Sequence, residues 1–380
     1  MKTSLFLLVT LMMAACSKPE PTPIVAPKAP TSYQFLVGTY TDSALHGINH
    51  LYFSPEENLM TVETIAAGIA NPSYVIASKD GKRVFSLEEE AGIKGGKILS
   101  FTRNPETNEL NLIDQDDSEG DHPCHISLSP NEDFLILGNY SGGSLSVFRV
   151  DVAGQVNFVQ KIQHTGKSIN TARQEGPHVH STTFDPEGKR VLVSDLGTDK
   201  IYVYDFNPQH AQPLQLSGEF PVTPGDGPRH LAFSADGTEV LVVEEMSASL
   251  DVFSYEQGKL TSKQRLSLLD EGFAGAVGAA EIRISPDGKH VYVSNRGEAN
   301  TLSVFGKKPD GSYVRVQNIP SGGIMPRNFN LTEDGKYLLS AHQASNDIVI
   351  FERDTISGIL TLTPWKATVH KPVYLHRLPY

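Results

Sequence analysis

Short apolar runs alternate with polar, turn-forming segments along almost the whole chain. Runs such as Val191–Val193 and Val291–Val293 lie between clusters rich in Asp, Gly and Pro. β-Branched and aromatic runs bounded by such clusters are typical of β-strands. From residue 33 onward no segment keeps a helical period for ten residues, except for a helical indication near residues 268–280. The pattern therefore predicts an all-β protein.

One turn signature recurs six times, at intervals of 51, 56, 49, 51 and 47 residues. Its copies are Ser78–Lys82, Ser129–Asp133, Asp185–Lys189, Ser234–Thr238, Ser285–Lys289 and Thr332–Lys336. Asp or Asn caps the backbone of such a turn, and Gly accepts a positive φ. An apolar signature that ends in an aromatic residue follows each turn by 16 to 20 residues. A repeat of about fifty residues with about four short strands predicts one blade of a β-propeller.

The six turns account for neither end of the chain, and the strand patterns of the two ends complement each other. His370–Arg377 has the pattern of a first strand, Phe35–Tyr40 of a second and Ile48–Phe53 of a third. Joining them in one blade would close the ring and remove its open sheet edge. We therefore predict a seven-bladed β-propeller, formed as one domain by residues 33–380.

Two other propeller types are excluded. Blades of the WD40 type carry Trp-Asp in each repeat, and Trp365 is the only tryptophan. Kelch blades carry a Gly-Gly pair, but the pairs Gly95-Gly96, Gly142-Gly143 and Gly322-Gly323 fall in different registers of the repeat.

The N-terminus has the pattern of an export signal. Residues 1–15, with Lys2 before the apolar run Leu5–Met13, are predicted to be a signal peptide too short to span a bilayer. Met13–Cys16 resembles the bacterial lipobox, so we expect Cys16 to be lipidated. Residues 16–32 are rich in Pro and predict a tether. The protein should thus face the periplasm and touch the membrane only through its lipid. Ser17, in place of the Asp associated with inner-membrane retention, favours the outer membrane.

The net charge limits the possible binding partners, and the cysteine content limits the possible chemistry. The 380 residues carry a formal net charge of −12, which argues against nucleic acid as a partner. With Cys16 lipidated, Cys124 is the one remaining cysteine. We expect it to be a small buried residue rather than a nucleophile.

Polar residues recur at one end of the predicted hairpins. Counting outward from the turn centres pairs Arg229 with Glu245, His178 with Asp195, and His122 with Asn139. The same end holds Tyr40, Asn295, Arg296, Arg327 and His342. Because all hairpins of a propeller point the same way around its axis, we expect one polar ring on one face of the central channel. Convergent polar groups in a concavity are the default hypothesis for a binding site.

His178 and His180 also allow a metal site, since alternate residues of a strand share a face. No Cys or Glu at motif spacing supplies a third ligand, so we predict no metal. One histidine would then serve the site while the other is packed.

Together, these segments resemble the lactonase family of seven-bladed propellers, whose bacterial members include 6-phosphogluconolactonases of the cycloisomerase-2 type. The resemblance covers residues 33–378 and is carried by Gly38–Thr41, Pro177–Ser181, Val193–Gly197, Gly227–His230, Val243–Met246, Ser294–Gly297 and Pro326–Phe329. The family is similar in fold to fungal carboxy-muconate lactonizing enzymes, where a His, a Glu and two Arg are implicated in the site. The resemblance implies catalytic roles for His178 or His180, Arg229, Glu245 and Arg296, and no cofactor. Glu244 stands where the family usually has Asn.

Lactone hydrolysis needs a water nucleophile, a base and donors for the developing oxyanion. Arginine binds carboxylate and phosphate bidentately, so we expect Arg229 and Arg296 to hold the anionic group or the oxyanion. An arginine beside Glu245 would lower the pKa of that carboxyl and make it a poor base. A histidine is then the favoured base, with Glu245 orienting it. The substrate-binding residues are expected to be Tyr40, His122, Asn295 and Arg327.

The implied activity is opening of a sugar lactone, with a small anionic lactone as the ligand of a monomeric protein. Export conflicts with phosphogluconolactone, a cytosolic intermediate, so a lactone met outside the cytoplasm stays open. Two other functions also stay open, because fold alone does not decide function. One is a non-catalytic exported propeller that binds a ligand or protein on its polar face. The other is a lactonizing isomerase of the muconate type.

Overall fold

The computed structural model describes residues 31–92 and 95–379, and these ranges contain β-strands joined by turns and loops and no α-helix. Within this part of the chain no helix could span a membrane. The predicted signal peptide (1–15), Cys16 and nearly all of the tether (16–32) lie outside the described residues. The helical indication near residues 268–280 is wrong: a loop there leads into a strand that begins at Val277.

The strands form seven four-stranded antiparallel sheets, six of them from consecutive strands. Blade 1 comprises β4 (Val75–Ala77), β5 (Arg83–Glu88), β6 (Lys97–Arg103) and β7 (Leu110–Asp117), and blade 2 comprises β8 (Pro123–Leu128), β9 (Phe134–Asn139), β10 (Ser144–Val150) and β11 (Val156–Gln163). Blade 3 comprises β12 (Val179–Phe184), β13 (Arg190–Asp195), β14 (Lys200–Phe206) and β15 (Leu214–Pro221), and blade 4 comprises β16 (Pro228–Phe233), β17 (Glu239–Glu244), β18 (Ser249–Glu256) and β19 (Lys259–Ser267). Blade 5 comprises β20 (Val277–Ile284), β21 (His290–Gly297), β22 (Thr301–Lys307) and β23 (Tyr313–Pro320), and blade 6 comprises β24 (Pro326–Leu331), β25 (Tyr337–His342), β26 (Asp347–Arg353) and β27 (Leu360–Thr368).

The closing blade joins both ends of the chain, as the sequence predicts. It has the order β28 (Pro372–Arg377), β1 (Tyr33–Thr39), β2 (Gly47–Ser54) and β3 (Leu59–Ala67). β28 pairs antiparallel with β1, and Val37 lies opposite Leu375. The fold is thus a closed seven-bladed β-propeller, with no unpaired first strand to expose its edge.

The core lies between the blades. Leu192 and Val203 of blade 3 form one buried cluster with Val240 and Val242 of blade 4, and all four side chains are fully buried. The first strands of successive blades contact one another from β8 round to β4, so they surround the central channel. The fourth strands lie on the outside of the ring; in β7, for example, no residue is buried.

The repeated turns adopt the conformation that their residues predict. Gly237 has φ +69°, and the Asp236 carboxylate accepts a hydrogen bond from the Thr238 backbone N–H at 3.1 Å. In the one turn without Gly, Glu132 takes up φ +60° instead.

A β-bulge near the start of the first strand positions the site. In four blades the pairing register shifts by one residue there, and the residues passed over are Cys124, His180, Arg229 and Arg327. A bulge turns a side chain away from the regular alternation of the strand. All four bulge residues line one cavity in the channel.

The observed hairpin register differs from the predicted one. The observed pairs are Pro228–Glu244, Val179–Asp195 and Pro123–Asn139. The pairing is already displaced between each turn and its bulge, because counting from the turn centre does not fix how many residues the turn takes up, and the bulge then changes the pairing by one residue.

Candidate functional site

Glu245 is the centre of a buried ionic cluster at one end of the channel. Its backbone is fixed by a hydrogen bond from its N–H to the Gly227 carbonyl at 2.8 Å. Its carboxylate accepts hydrogen bonds from Arg229 Nε at 3.0 Å and Arg173 Nη2 at 2.6 Å. Arg296 Nη2 forms an ion pair with the same carboxylate at 2.9 Å. One carboxylate therefore orders three guanidinium groups from three parts of the chain.

Charge in this cluster is set by burial and by the arginines. Burial would raise the pKa of Glu245, but the charges of Arg296 and Arg229 and the hydrogen bond from Arg173 hold it well below its usual range. Burial, together with the charges of Arg296 and Arg327, lowers the pKa of Arg229 to about 10. Both groups are therefore charged at neutral pH. Glu245 is a poor base, as expected of a carboxylate held by arginines.

The two candidate histidines lie in different surroundings. His180 lies on the bulge of β12, with Nε2 3.9 Å from Glu245 Oε2, and lines the channel cavity. His178 stacks on the ring of Tyr140 at a centroid distance of 4.6 Å, and its Nε2 lies 3.3 Å from the exposed Glu175 carboxylate. Of the two, only His180 joins the Glu245 cluster. Burial, and next the charges of Arg229 and His230, hold the pKa of His180 well below its usual value, so its ring is neutral.

A second group faces this cluster across the channel. Tyr40 donates a hydrogen bond to the Glu89 carboxylate, with oxygen distances of 3.0 and 3.1 Å. Arg327 lies over the Tyr40 ring, with Cζ 5.4 Å from its centre. Among the residues that the structure describes, the Arg327 guanidinium has no hydrogen-bond or ion-pair partner. Burial raises the pKa of Glu89, an effect that the charge of Arg327 only partly offsets.

The two groups meet at a small cavity on the channel axis. Its volume is about 10 Å³, and its lining includes Glu89, Cys124, His180, Arg229 and Arg327. A space of this size holds about one water molecule. Burial raises the pKa of the Cys124 thiol well above its usual value, so this cysteine stays protonated.

Three further predicted residues form no hydrogen bond or ion pair with Glu245 or Glu89 in the described part of the chain. Asn295 is fully buried and its Oδ1 accepts a hydrogen bond from the Gly278 N–H at 3.0 Å, which makes it part of the scaffold. His342 is likewise fully buried, with Nδ1 2.8 Å from Asp347. His122 lies in the loop before β8, where its Nδ1 is 2.8 Å from Ser141 Oγ.

Three residues of the site escaped the sequence-based prediction. Glu89 and Tyr140 each follow the last residue of the second strand of their blades, as Glu245 does. An alignment of the repeats at this position would have found both. Arg173 lies in the loop between β11 and β12, which has no counterpart in the repeat, so no sequence signal pointed to it.

One group of metal-ligand side chains lies in the closing blade. Within the described ranges, Asp42, His46 and His370 bring their ligand atoms within 4.8 Å of one another. The two imidazoles stack face to face at 3.8 Å, so their nitrogens cannot both point at one ion unless the stack opens. Lys371 also lies 3.4 Å from Asp42. The group is best described as an ion-pair cluster between the β1–β2 and β27–β28 loops.

Comparison with known proteins places this geometry in a family. A family model described as Lactonase, 7-bladed beta-propeller matches residues 34–376. The 6-phosphogluconolactonase of Bacillus subtilis is 31% identical over 92% of this chain and 100% of its own length.

Two solved structures match closely. One, titled a putative 6-phosphogluconolactonase from Bacteroides fragilis, has a TM-score of 0.86 and 34% identity over 93% of this chain and 100% of that chain. The periplasmic gluconolactonase of Pseudomonas aeruginosa has a TM-score of 0.85 and 33% identity over 92% of this chain and 99% of that chain. From its repeats, its closed ring and these matches, the chain belongs to the lactonase family of seven-bladed β-propellers.

Proposed function

We propose that the protein is a hydrolase that opens the ring of a sugar lactone by attack of water at the mouth of the channel. The observation that carries the proposal is the buried cluster in which Glu245 orders three arginines beside the neutral His180. The relatives named 6-phosphogluconolactonase and the periplasmic gluconolactonase support a lactone as the substrate.

The arginines suit the charge that develops in this reaction. As water adds to the lactone carbonyl, its oxygen becomes negative and needs donors that are already in place. Arg229 and Arg296 are held by Glu245 and are proposed to stabilise this oxyanion. Arg327, which lacks an ion-pair partner among the described residues, is proposed to bind an anionic or hydroxyl group of the substrate.

His180 is the proposed base. Its ring is neutral and borders a cavity of about 10 Å³, which suits a single attacking water molecule. As His180 takes up the proton of this water, the Glu245 carboxylate 3.9 Å away offsets part of the repulsion between the imidazolium and the Arg229 guanidinium. His178 is packed against Tyr140 instead.

The proposed setting is the periplasm. Residues 1–15 would direct export, Cys16 would carry a lipid in the outer membrane, and residues 16–32 would tether the propeller of residues 33–380. In that compartment the substrate would be a sugar lactone that forms outside the cytoplasm, whether neutral or anionic.

A lactone panel tests the proposed function. Purified protein should hydrolyse glucono-δ-lactone or its 6-phosphate faster than the spontaneous rate, measured by proton release at constant pH. Loss of a general base costs about 10²- to 10⁴-fold, so His180→Asn should lower kcat by that order. His178→Asn should retain most of the activity.

Three outcomes would contradict these assignments. A loss confined to His178→Asn would move the base to His178. Turnover of a muconate instead of any lactone would favour the isomerase. Binding of sugar lactones without turnover would favour a non-catalytic propeller.

A further inference from the structure

Glu89 is a carboxylate that lines the channel cavity, whereas Glu245 lies behind the lining residues Arg229 and His180. It directly follows β5, which is the position that Glu245 occupies after β17. It lines the same cavity as His180, Arg229 and Arg327. A group in this position is within reach of a molecule bound between the two sides.

The two carboxylates differ in their partners. Glu245 is held by three arginines within 3.0 Å. Glu89 accepts a hydrogen bond from the neutral Tyr40 hydroxyl at 3.0 Å and has no ion pair among the described residues. When two carboxyl groups of one site have such different surroundings, one commonly acts as the acid, while the other stays ionised and acts as a base or stabilises charge.

Lactone opening needs a proton donor as well as a base. When the tetrahedral intermediate collapses, the bond between the carbonyl carbon and the ring oxygen breaks, and the ring oxygen leaves with the electron pair. An alkoxide is a poor leaving group unless it is protonated as it departs. His180 takes its proton from water on one side of the cavity, and a donor on the other side is placed to serve the ring oxygen, which leaves away from the attacking water.

We propose that Glu89 is a catalytic residue, the general acid that protonates the ring oxygen of the lactone as the C–O bond breaks. This inference rests on the proposed lactonase function. The proton passes from the Glu89 carboxylic acid to the ring oxygen, which becomes the hydroxyl of the product. The Glu89 carboxylate then regains a proton from solvent, to which His180 releases the one it took from water.

The surroundings of Glu89 set the pH range of this step. The titratable and charged groups around it are Tyr40, Arg327, His122 and Cys124, with His180, His230 and Arg229 across the cavity. Burial raises the pKa of Glu89, while the charge of Arg327 and the Ser73 and Tyr40 hydroxyls act in the opposite direction. Because the acid must be protonated to act, activity should fall as the pH rises through the pKa of Glu89.

The test compares Glu89→Gln with Glu90→Gln in the full chain. Glu90 is the adjacent carboxylate, which accepts a hydrogen bond from Asn71 and does not line the cavity. Glu89→Gln should lower kcat about 100-fold or more and remove the alkaline limb of the pH profile. Glu90→Gln should keep the wild-type kcat and the alkaline limb of the pH profile. An unchanged alkaline limb in Glu89→Gln would overturn the proposal.

Tyr40→Phe separates this role from a structural one. Loss of the hydrogen bond to the carboxylate should raise the pKa of Glu89, so the alkaline limb should move to higher pH. A limb that stays in place contradicts the assignment. Melting temperatures of all variants control for folding. Absence of lactone turnover in the wild type would refute the proposed function itself, whereas an active wild type with an unaffected Glu89→Gln refutes only this inference.

Discussion

At the scale of single residues, surroundings rather than residue type decide what a side chain can do. Glu245 and Glu89 have the same chemistry and equivalent places in their blades. Three arginines lower the pKa of Glu245, whereas burial raises that of Glu89. A buried charge with its partners in place is tolerated, but removal of one partner leaves the others uncompensated.

Glu245→Gln is therefore expected to cost both stability and activity. It leaves the buried Arg229 and Arg296 without their counter-charge, and breaking a buried pair costs about 3–5 kcal/mol. The free energy of unfolding, from urea titration at pH 7, measures this loss. Glu175→Gln, at an exposed carboxylate, should change it by less than about 0.5 kcal/mol.

The pH dependence gives a second check on Glu245. The folded-state pKa is lowered, so the contribution of the charge to stability is full above the unfolded pKa of about 4.3 and fades below it. The difference between wild type and Glu245→Gln should shrink as the pH falls below about 4. A constant difference, or full lactonase activity in Glu245→Gln, would contradict the role given to this carboxylate.

At the scale of elements, turns were predictable and bulges were not. Asp-Gly turns can be predicted from the residues within them, and the repeated turns adopt the expected conformation. A bulge depends on how two strands pair, so counting from the turn did not show that Arg229 lies in one. The face of the strand also matters, as Asn295 shows. Adjacent strand residues point to opposite sides, so Asn295 is buried in the scaffold while Arg296 reaches Glu245.

Gly237→Ala tests the turn chemistry. At φ +69° a side chain is strained, and the added Cβ would lie 3.1 Å from Pro186. The variant should lose about 1 kcal/mol or more of unfolding free energy, measured by urea titration. Gly176→Ala, whose Cβ would meet nothing within 4 Å, is the matched control. Equal stability of the two variants would show that the turn relaxes without strain.

At the scale of the whole molecule, ring closure brings distant parts of the chain to one site. Tyr40 and Arg327 come from opposite ends of the propeller sequence yet lie in contact, because β28 and β1 share a blade. The net charge of −12 describes the whole sequence and does not indicate the local cluster of arginines in the channel. A small anionic ligand is therefore compatible with an acidic protein.

The proposed anchor also belongs to this scale. Palmitate should label the wild-type protein in the membrane fraction, and Cys16→Ala should abolish the label and release the protein, since stable anchoring depends on buried acyl chains. Cys124→Ala should keep the label, because Cys124 is buried in the channel. A label that survives Cys16→Ala would refute lipidation at this residue.

The sequence by itself determined the strands, the repeated turns, the seven blades and the join of both chain ends, because these follow from local periodicity and turn chemistry. It also pointed to Arg229, Glu245, Arg296 and Arg327 as candidates, through the ends of the predicted hairpins, and to His178 or His180 through the family resemblance. Only the tertiary structure distinguished His180 from His178, and it alone brought Arg173 and Glu89 to the channel. The separation of the two histidines and the place of Arg173 depend on bulged pairing and on contacts between blades, which no local pattern encodes, whereas Glu89 follows the same strand position as Glu245 and an alignment of the repeats would have indicated it.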